Sequence, residues 1–360
     1  MPKTTLPRPI ALIFLALCFV AFPRFAAAEN APATDARQAY LKLIDRPRVD
    51  PKVEEKELPA PNPATLMSRI EYTTQDGQRV PALVLRPANT KPDTRLPVVI
   101  ALHGTSSKKE SNLTLLKTLA AKGFIAVAPD GRYHGERKTG DGTVEYFEKI
   151  AKAFEDNKTN SGTGQAHPWL FDTTWDVMRL VDVLIARPDV DAAKIGLIGF
   201  SKGGMETYLT ACADERIAVA VPCIGVQSFK WGLDNENWKG RVGTVKGAFE
   251  AALKAEGLTK ADAAFAKKFY DRVIPGIDKQ FDCPSMLPLM VPRPLMIING
   301  DIDDKTPLPG VLLAAEAAKK AFEAAKAADR FSLIVQEKTG HQVRPENLAK
   351  AVEWFEKWLK

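Results

Sequence analysis

From Pro97 onward the chain repeats one pattern, a short and almost wholly apolar run followed by a longer segment whose apolar residues recur every three or four positions. The short runs are Val98–Leu102, Phe124–Ala128, Ile195–Gly199, Ala218–Val221, Leu295–Ile298 and Ser332–Val335. Runs this short, with no polar alternation, suit strands covered on both faces. Leu113–Ala121, Asp176–Ala186, Met205–Ala213 and Val311–Ala327 read as helices, the second with Val177, Leu180, Val181 and Leu184 on one face. A last helix is predicted near the C-terminus, where Leu348, Val352, Phe355 and Leu359 share a face. Strand and helix in alternation predict an α/β fold with a mostly parallel central sheet flanked by helices.

Upstream the pattern differs. Leu66–Thr73 and Val80–Leu85, separated by a segment containing Gln75-Asp76-Gly77-Gln78, predict an antiparallel hairpin turning at Asp-Gly. Residues 29–65 are rich in proline and charge. They predict a helix around Ala36–Leu43, then an irregular arm ending at Pro61-Asn62-Pro63 and packed on the outside of the domain. The domain itself spans 66–360. Two insertions interrupt its alternation, Arg132 to Thr174 and Gln227 to Leu289, each after a strand. The second, 227–289, carries helical patterns at Val245–Ala255 and Ala261–Val273 and reads as a cap or side wall. Its aromatic residues Trp231, Trp238 and Phe281 read first as packing of the insertion and second as substrate contacts.

Composition adds that 45% apolar and 26% charged residues suit one large globular domain rather than a disordered chain. At the N-terminus Lys3 and Arg8 precede an apolar run of 13 residues, Ile10 to Phe22, and then Ala26-Ala27-Ala28 before Glu29. That order predicts a secretory signal peptide over 1–28, too short to span a bilayer and leaving no stable membrane anchor once cleaved. Leu17 before Cys18 argues against a lipoprotein signal. A periplasmic or secreted location follows. The net charge of +6 loses three cations with residues 1–28, which hold no acid, and the remaining +3 is too weak to imply nucleic acid. Cys212, Cys223 and Cys283 would remain, an odd number that reads as buried free thiols with any pairing left open. No motif sets an oligomeric state.

The chemistry begins at Gly199-Phe200-Ser201-Lys202-Gly203-Gly204, where small residues two places either side of a serine follow a strand and precede a helix. This spacing predicts a nucleophile elbow, which exposes the hydroxyl of Ser201 above the sheet. Asp301, Asp303 and Asp304 follow the strand-like run ending at Ile298, and His341 follows the one ending at Val335. A serine hydroxyl needs an imidazole to take its proton, and the imidazole needs a carboxylate to orient it and stabilise its cation. The oxyanion of an acyl transfer needs two amide donors, which we assign to the backbone of Lys202 and of Thr105, in the turn His103-Gly104-Thr105.

With these residues the chain resembles the α/β-hydrolase superfamily, in the branch of acetyl-xylan esterases, dienelactone-hydrolase-like proteins and prolyl-oligopeptidase-like catalytic domains. The likeness covers about residues 66 to 360 and rests on His103-Gly104, the loop Asp130–Glu136, the elbow, Gly300 through Asp303 to Pro307, and Gly340-His341. The family's spacing places the acid on Asp303, with Asp301 and Asp304 as fallbacks. True dienelactone hydrolases carry a cysteine where Ser201 stands. The resemblance implies a serine hydrolase that needs no cofactor and cleaves a small-molecule or carbohydrate ester, with a short acyl or carbohydrate-linked acetyl group favoured. The alternatives are a prolyl-oligopeptidase-like peptidase, although only residues 29–65 precede the domain where such enzymes carry a propeller, and a non-catalytic binding protein. His103 and His134 read as structural supports of their loops, and His167 is uninformative. None of the three has metal-ligand spacing. The Lys202 side chain either favours an anionic substrate group or pairs with an acid.

Overall fold

The computed structural model describes residues 31–360 except 76, 92 and 159–163. The signal peptide expected at 1–28, with Cys18, and Asp76 of the expected hairpin turn lie outside the described residues. One sheet contains β1 (Glu54–Leu58), β2 (Thr65–Gln75), β3 (Gln78–Pro87), β4 (Leu96–Leu102), β5 (Ile125–Pro129), β6 (Val190–Phe200), β7 (Ile217–Cys223), β8 (Leu295–Gly300) and β9 (Phe331–Gln336). Their spatial order is β1-β2-β3-β5-β4-β6-β7-β8-β9. The β1–β2, β2–β3 and β3–β5 pairs are antiparallel, and every pair from β5–β4 to β8–β9 is parallel.

The apolar runs are strands covered on both sides. Side chains alternate across a strand, so Val98 and Ile100 of β4 face one core with Leu180 and Tyr208, while Val99 and Ala101 face another with Leu116, Leu119 and Phe355. Helices α1 (Ala31–Ile44), α2 (Leu113–Ala121), α3 (Gly142–Asp156), α4 (Phe171–Ile185) and α5 (Lys202–Ala213) precede β7 in the chain. The second insertion contributes α6 (Phe229–Asp234), α7 (Trp238–Gly243), α8 (Lys246–Ala255), α9 (Ala263–Val273) and α10 (Cys283–Met286), and α11 (Leu308–Ala324) and α12 (Pro345–Leu359) follow β8 and β9. Strand order reverses at β4, which lies between β5 and β6, and in open α/β sheets the crevice beyond the strands' C-terminal ends at such a reversal is where ligands bind.

Three expectations change. The arm is not irregular throughout, because Glu54–Leu58 pairs with β2 as an edge strand. Its Glu-Glu-Lys-Glu-Leu sequence has no apolar pattern, and such charge is what protects a free sheet edge from pairing with another chain. Nor does the arm stay on the outside. Tyr40 and Ile44 of α1 are fully buried, Tyr40 packing edge-on against Phe171 and Phe281, each with ring centroids 5.1 Å away. Third, α3 was not expected, although Tyr146, Ile150 and Phe154 are buried along one face of it. The aromatics of the second insertion serve packing, the first of the two readings: Trp238 lies against Phe249, Phe281 against Tyr40, and Trp231 against Gly310. Cys212, Cys223 and Cys283 are free and buried.

Candidate active site

Strand β6 ends at Phe200 and α5 begins at Lys202, so Ser201 alone makes the turn, at φ 55° and ψ −113°. A non-glycine residue in that region costs about 1–3 kcal/mol and persists only where its surroundings enforce it. Here the enforcement is close packing. A Cβ on Gly199 would lie 2.1 Å from the carbonyl oxygen of Gly203, and one on Gly203 would lie 2.5 Å from that of Leu102 in β4. The Ser201 amide donates to the Cys223 carbonyl at 3.0 Å, which ties the turn to the end of β7.

His341 Nε2 lies 2.8 Å from Ser201 Oγ, and His341 Nδ1 lies 2.8 Å and 3.0 Å from the two carboxylate oxygens of Asp303. Asp303 also accepts from the amides of Lys305 at 2.8 Å and Thr306 at 3.0 Å, and from the Thr306 hydroxyl. Burial alone would raise its pKa, but the hydrogen bonds from His341 and Thr306 outweigh that and hold it below the usual carboxylate value. An ionised carboxylate at Nδ1 requires Nδ1–H to donate, which leaves the Nε2 lone pair facing the serine hydroxyl. This arrangement can take the hydroxyl proton as Oγ attacks a carbonyl carbon. Among the three candidate acids only Asp303 meets His341. Asp301 accepts from the amides of Lys338 at 2.9 Å and Thr339 at 3.0 Å, anchoring the loop that carries the histidine, and exposed Asp304 pairs with Lys305 at 2.8 Å.

Of the two residues named as oxyanion donors, Lys202 follows the serine in the chain and Thr105 belongs to a turn close to it. Lys202 opens α5, so its amide is among those a helix leaves without an internal acceptor. Thr105 follows Gly104, whose Cβ position would lie 3.6 Å from Ser201 Cβ, so this turn lies against the elbow. The Lys202 side chain turns inward and pairs with buried Glu206 at 2.7 Å, which selects the acid-pairing reading of that side chain. Burial holds the Glu206 pKa above its usual value despite the Lys202 cation.

His103 and His134 brace the same turn. His103 Nδ1 donates to the Gly104 carbonyl at 2.8 Å and its Nε2 accepts from the Gly131 amide at 2.9 Å. His134 Nδ1 donates to the Arg132 carbonyl at 2.7 Å and its Nε2 accepts from the Ser106 amide at 3.2 Å. Burial, reinforced by the nearby Lys202 cation, pushes their pKa values down to about 3 and about 2, so both rings are neutral. His167 is buried elsewhere against the Val273 carbonyl, 3.1 Å away.

Sequence reasoning missed the ionic scaffold behind these loops. Asp176 of α4 accepts two bonds from Arg132, each 2.9 Å, one from Arg137 at 2.8 Å and one from Thr74 at 2.7 Å. Burial would raise the Asp176 pKa, yet the two guanidiniums hold it down to about 2. Asp130 likewise accepts from the amide and the ammonium of Lys109, each at 2.8 Å. The only sequence signal was the density of charge in Asp130–Lys138, which is usually a solvated face.

A serine-bearing turn between β6 and α5, beside a reversal of strand order in a mostly parallel sheet, defines the α/β-hydrolase class, and the chain is a carboxylic ester hydrolase of that class. Within it the chain belongs to the glucuronyl esterase family: the family described as "Glucuronyl esterase, fungi" matches residues 74–326, more than half of the chain. Its fold is shared by acetyl xylan esterase 1 from Thermoanaerobacterium sp. JW/SL YS485, with a TM-score of 0.63 and 17% identity over 92% of this chain and 93% of that one. The glucuronoyl esterase from Solibacter usitatus gives a TM-score of 0.60 and 16% identity over 91% and 92% of the two chains. In sequence the chain is 24% identical over 268 residues to YitV of Bacillus subtilis (strain 168), a protein named as an esterase, covering 73% of this chain and 90% of YitV. Three further curated relatives are spanned over only 26% to 52% of their own length.

Proposed function

We propose that the protein hydrolyses carboxylic esters through an acyl-enzyme on Ser201, with His341 as general base and then general acid and Asp303 as its orienting carboxylate. The observation that carries this reading is the continuous hydrogen-bond relay from Asp303 through His341 to Ser201 Oγ, with 2.8 Å on each side of the imidazole. Ser201 Oγ attacks the ester carbonyl carbon while His341 Nε2 takes its proton. The amides of Lys202 and Thr105 bind the oxyanion, a contribution of about 3 kcal/mol for one such donor. The intermediate collapses as His341 returns the proton to the departing alkoxide, and a water activated by the same imidazole then releases the acid. No step calls for a cofactor.

A short acyl or carbohydrate-linked ester is the substrate class, in keeping with what the family's name and the acetyl xylan and glucuronoyl esterases of like fold describe. The domain spans 66–360, and residues 227–289 wall the site: a Cβ on Gly240 of α7 would lie 2.0 Å from the Asp304 carbonyl, so the insertion rests on the acid loop. The basic, apolar and small-residue order of residues 1–28 supports export to the periplasm or beyond.

The test is hydrolysis of p-nitrophenyl esters from acetate to octanoate, with an aminoacyl p-nitroanilide in parallel, by the protein and by Ser201→Ala. Acetate-biased turnover that disappears in the variant is expected. Turnover that survives in Ser201→Ala, or amide cleavage exceeding ester cleavage, overturns the reading.

A further inference from the structure

The insertion over 227–289 encloses a cation with no counter-ion of its own. Arg241 of α7 is 1% exposed, and its Nη2 donates to the Gly225 carbonyl at 3.3 Å. Its Nε and Nη1 have no hydrogen-bond partner, and among the described residues no carboxylate forms an ion pair with it. The guanidinium lies 5.3 Å from the centre of the Phe229 ring, a contact that offsets only part of what a cation loses on leaving water. An apolar side chain of similar volume would fill the same space at less cost. Packing therefore does not account for an arginine at this position.

The acid loop does. Gly240, the residue before Arg241, has its Cβ position 2.0 Å from the Asp304 carbonyl oxygen and 3.5 Å from Lys305 Cα, so α7 is pressed onto the loop that carries Asp303. The Asp303 side chain has no exposure, and among the described residues His341 is the one basic group within ion-pair distance of it. Two opposite and fully buried charges, each short of partners, thus sit on chain segments whose neighbouring residues touch.

The other groups near the guanidinium carry no compensating charge. They are the hydroxyls of Tyr208 in α5 and Tyr270 in α9 and the thiol of Cys283 in α10, and burial pushes the pKa of each up, leaving all three neutral. Burial lowers the pKa of Arg241 itself; among the groups that act against this lowering, Asp303 is the ionised one. Asp282, at the start of α10, is pushed up to about 6 by burial and holds the first turn of α6 through the Ser228 hydroxyl at 2.6 Å and the Phe229 amide at 2.8 Å. On the elbow and the acid loop, Lys202 is paired with Glu206 and Lys305 with Asp304.

We propose that Arg241 is a positioning residue for the reaction: its buried cation, held against the acid loop by α7, opposes protonation of the Asp303–His341 pair, which therefore stays a carboxylate and a neutral imidazole in mild acid. The proposal rests on the esterase reading above. A positive charge disfavours a further proton on either group, and the effect is little screened where the charges are buried. The insertion then contributes to the proton transfer as well as walling the site.

The experiment removes the charge and compares Arg241→Gln, Arg241→Met and Arg241→Lys with the unaltered protein in two readouts. One is the acid limb of kcat/KM for p-nitrophenyl acetate, from about pH 5 to about pH 9. The other is the titration of the His341 ring followed by NMR, its signal identified among the four histidines by its loss in His341→Gln. In Arg241→Gln both are expected to move up by about half a pH unit or more. Arg241→Met, which leaves no buried amide unpartnered, gives the same shift and serves where Arg241→Gln does not fold. Arg241→Lys keeps the cation and is expected to restore both readouts to within about 0.2 of a unit. Asp282 is unchanged in all three variants, and the ring signal does not contain its titration. Activity lost with neither readout displaced would mean that Arg241 only supports the cap, and it overturns the proposal while the esterase reading stands. A shift in Arg241→Lys as large as that in Arg241→Gln overturns it likewise. No ester hydrolysis by the unaltered protein overturns the esterase reading and the proposal with it.

Discussion

Three aspartates lie within four residues of one another after β8, and they have three different occupations. Asp301 braces the histidine loop through two amides, Asp304 faces solvent beside Lys305, and Asp303 turns inward to His341. The division predicts unequal mutants. Asp303→Asn puts an amide where Nδ1–H needs an anion, and the equivalent change in serine proteases lowers kcat by about 10⁴. A loss of that order is expected for p-nitrophenyl acetate hydrolysis. Asp301→Asn keeps an acceptor for one of the two amides and loses the other, but it leaves the Asp303–His341 pair untouched and is expected to cost less than about tenfold. Equal losses in the two variants would show that the acid has been misassigned. Lys202 follows the same logic of local pairing: of the two partners open to its side chain in the sequence, an anionic substrate group or an acid, its ammonium takes the second, Glu206 in the interior.

At the scale of elements, the sharpest demand is at the crossing of β4 and α5. Gly203→Ala would bring a Cβ to 2.5 Å from the Leu102 carbonyl, so α5 must shift away from the strand that leads into the oxyanion turn. A misplacement of about 1 Å at a reacting group costs about 10² in rate. We expect kcat to fall by about that factor while the far-UV circular dichroism spectrum is retained; full activity would contradict the packing described for the elbow. This crossing was legible in the sequence because a strand covered on both faces leaves an unbroken apolar run and because only glycine fits where backbones touch. The buried strands β4 to β8 were legible for the same reason. Strand β1 was not, since an exposed edge strand selects for charge and Glu54–Leu58 has four charged residues of five. Helix α1 was placed correctly, but its burial was not, because Tyr40 and Ile44 fill a gap formed by residues more than a hundred positions away. Spacing named Ser201, His341 and three aspartates as candidates, and the structure brings Ser201, His341 and Asp303 within hydrogen-bond reach; Asp303 stood ahead of Asp301 and Asp304 only through the family's spacing, because which aspartate turns inward depends on loop geometry.

The whole molecule carries buried, neutral histidines, and this sets its response to acid. His103 and His134 have pKa values held down to about 3 and about 2, and that of His167 is also lowered, in each case mainly by burial. In the unfolded chain all three titrate near 6.5. Below that pH the unfolded state binds protons that the folded state refuses, so the stabilisation present above pH 6.5 is lost as pH falls toward 3. The slope approaches about 1.4 kcal/mol per pH unit for each histidine. Asp176, held down to about 2, contributes stability that is present above about pH 4 and lost only between there and pH 2. Urea unfolding from pH 8 to pH 4 should therefore show a plateau ending near pH 6.5 and then a decline, shallower in His134→Gln. A stability that stays flat from pH 7 to pH 4 would mean that these rings protonate without cost.

The most direct test of the central claim is to label the protein with a fluorophosphonate and map the adduct by peptide mass spectrometry. The relay through Asp303 and His341 predicts one adduct, on the peptide bearing Ser201, formed at least about a hundredfold more slowly in His341→Ala. An adduct on another residue, or labelling of Ser201 at an undiminished rate without the imidazole, would contradict it.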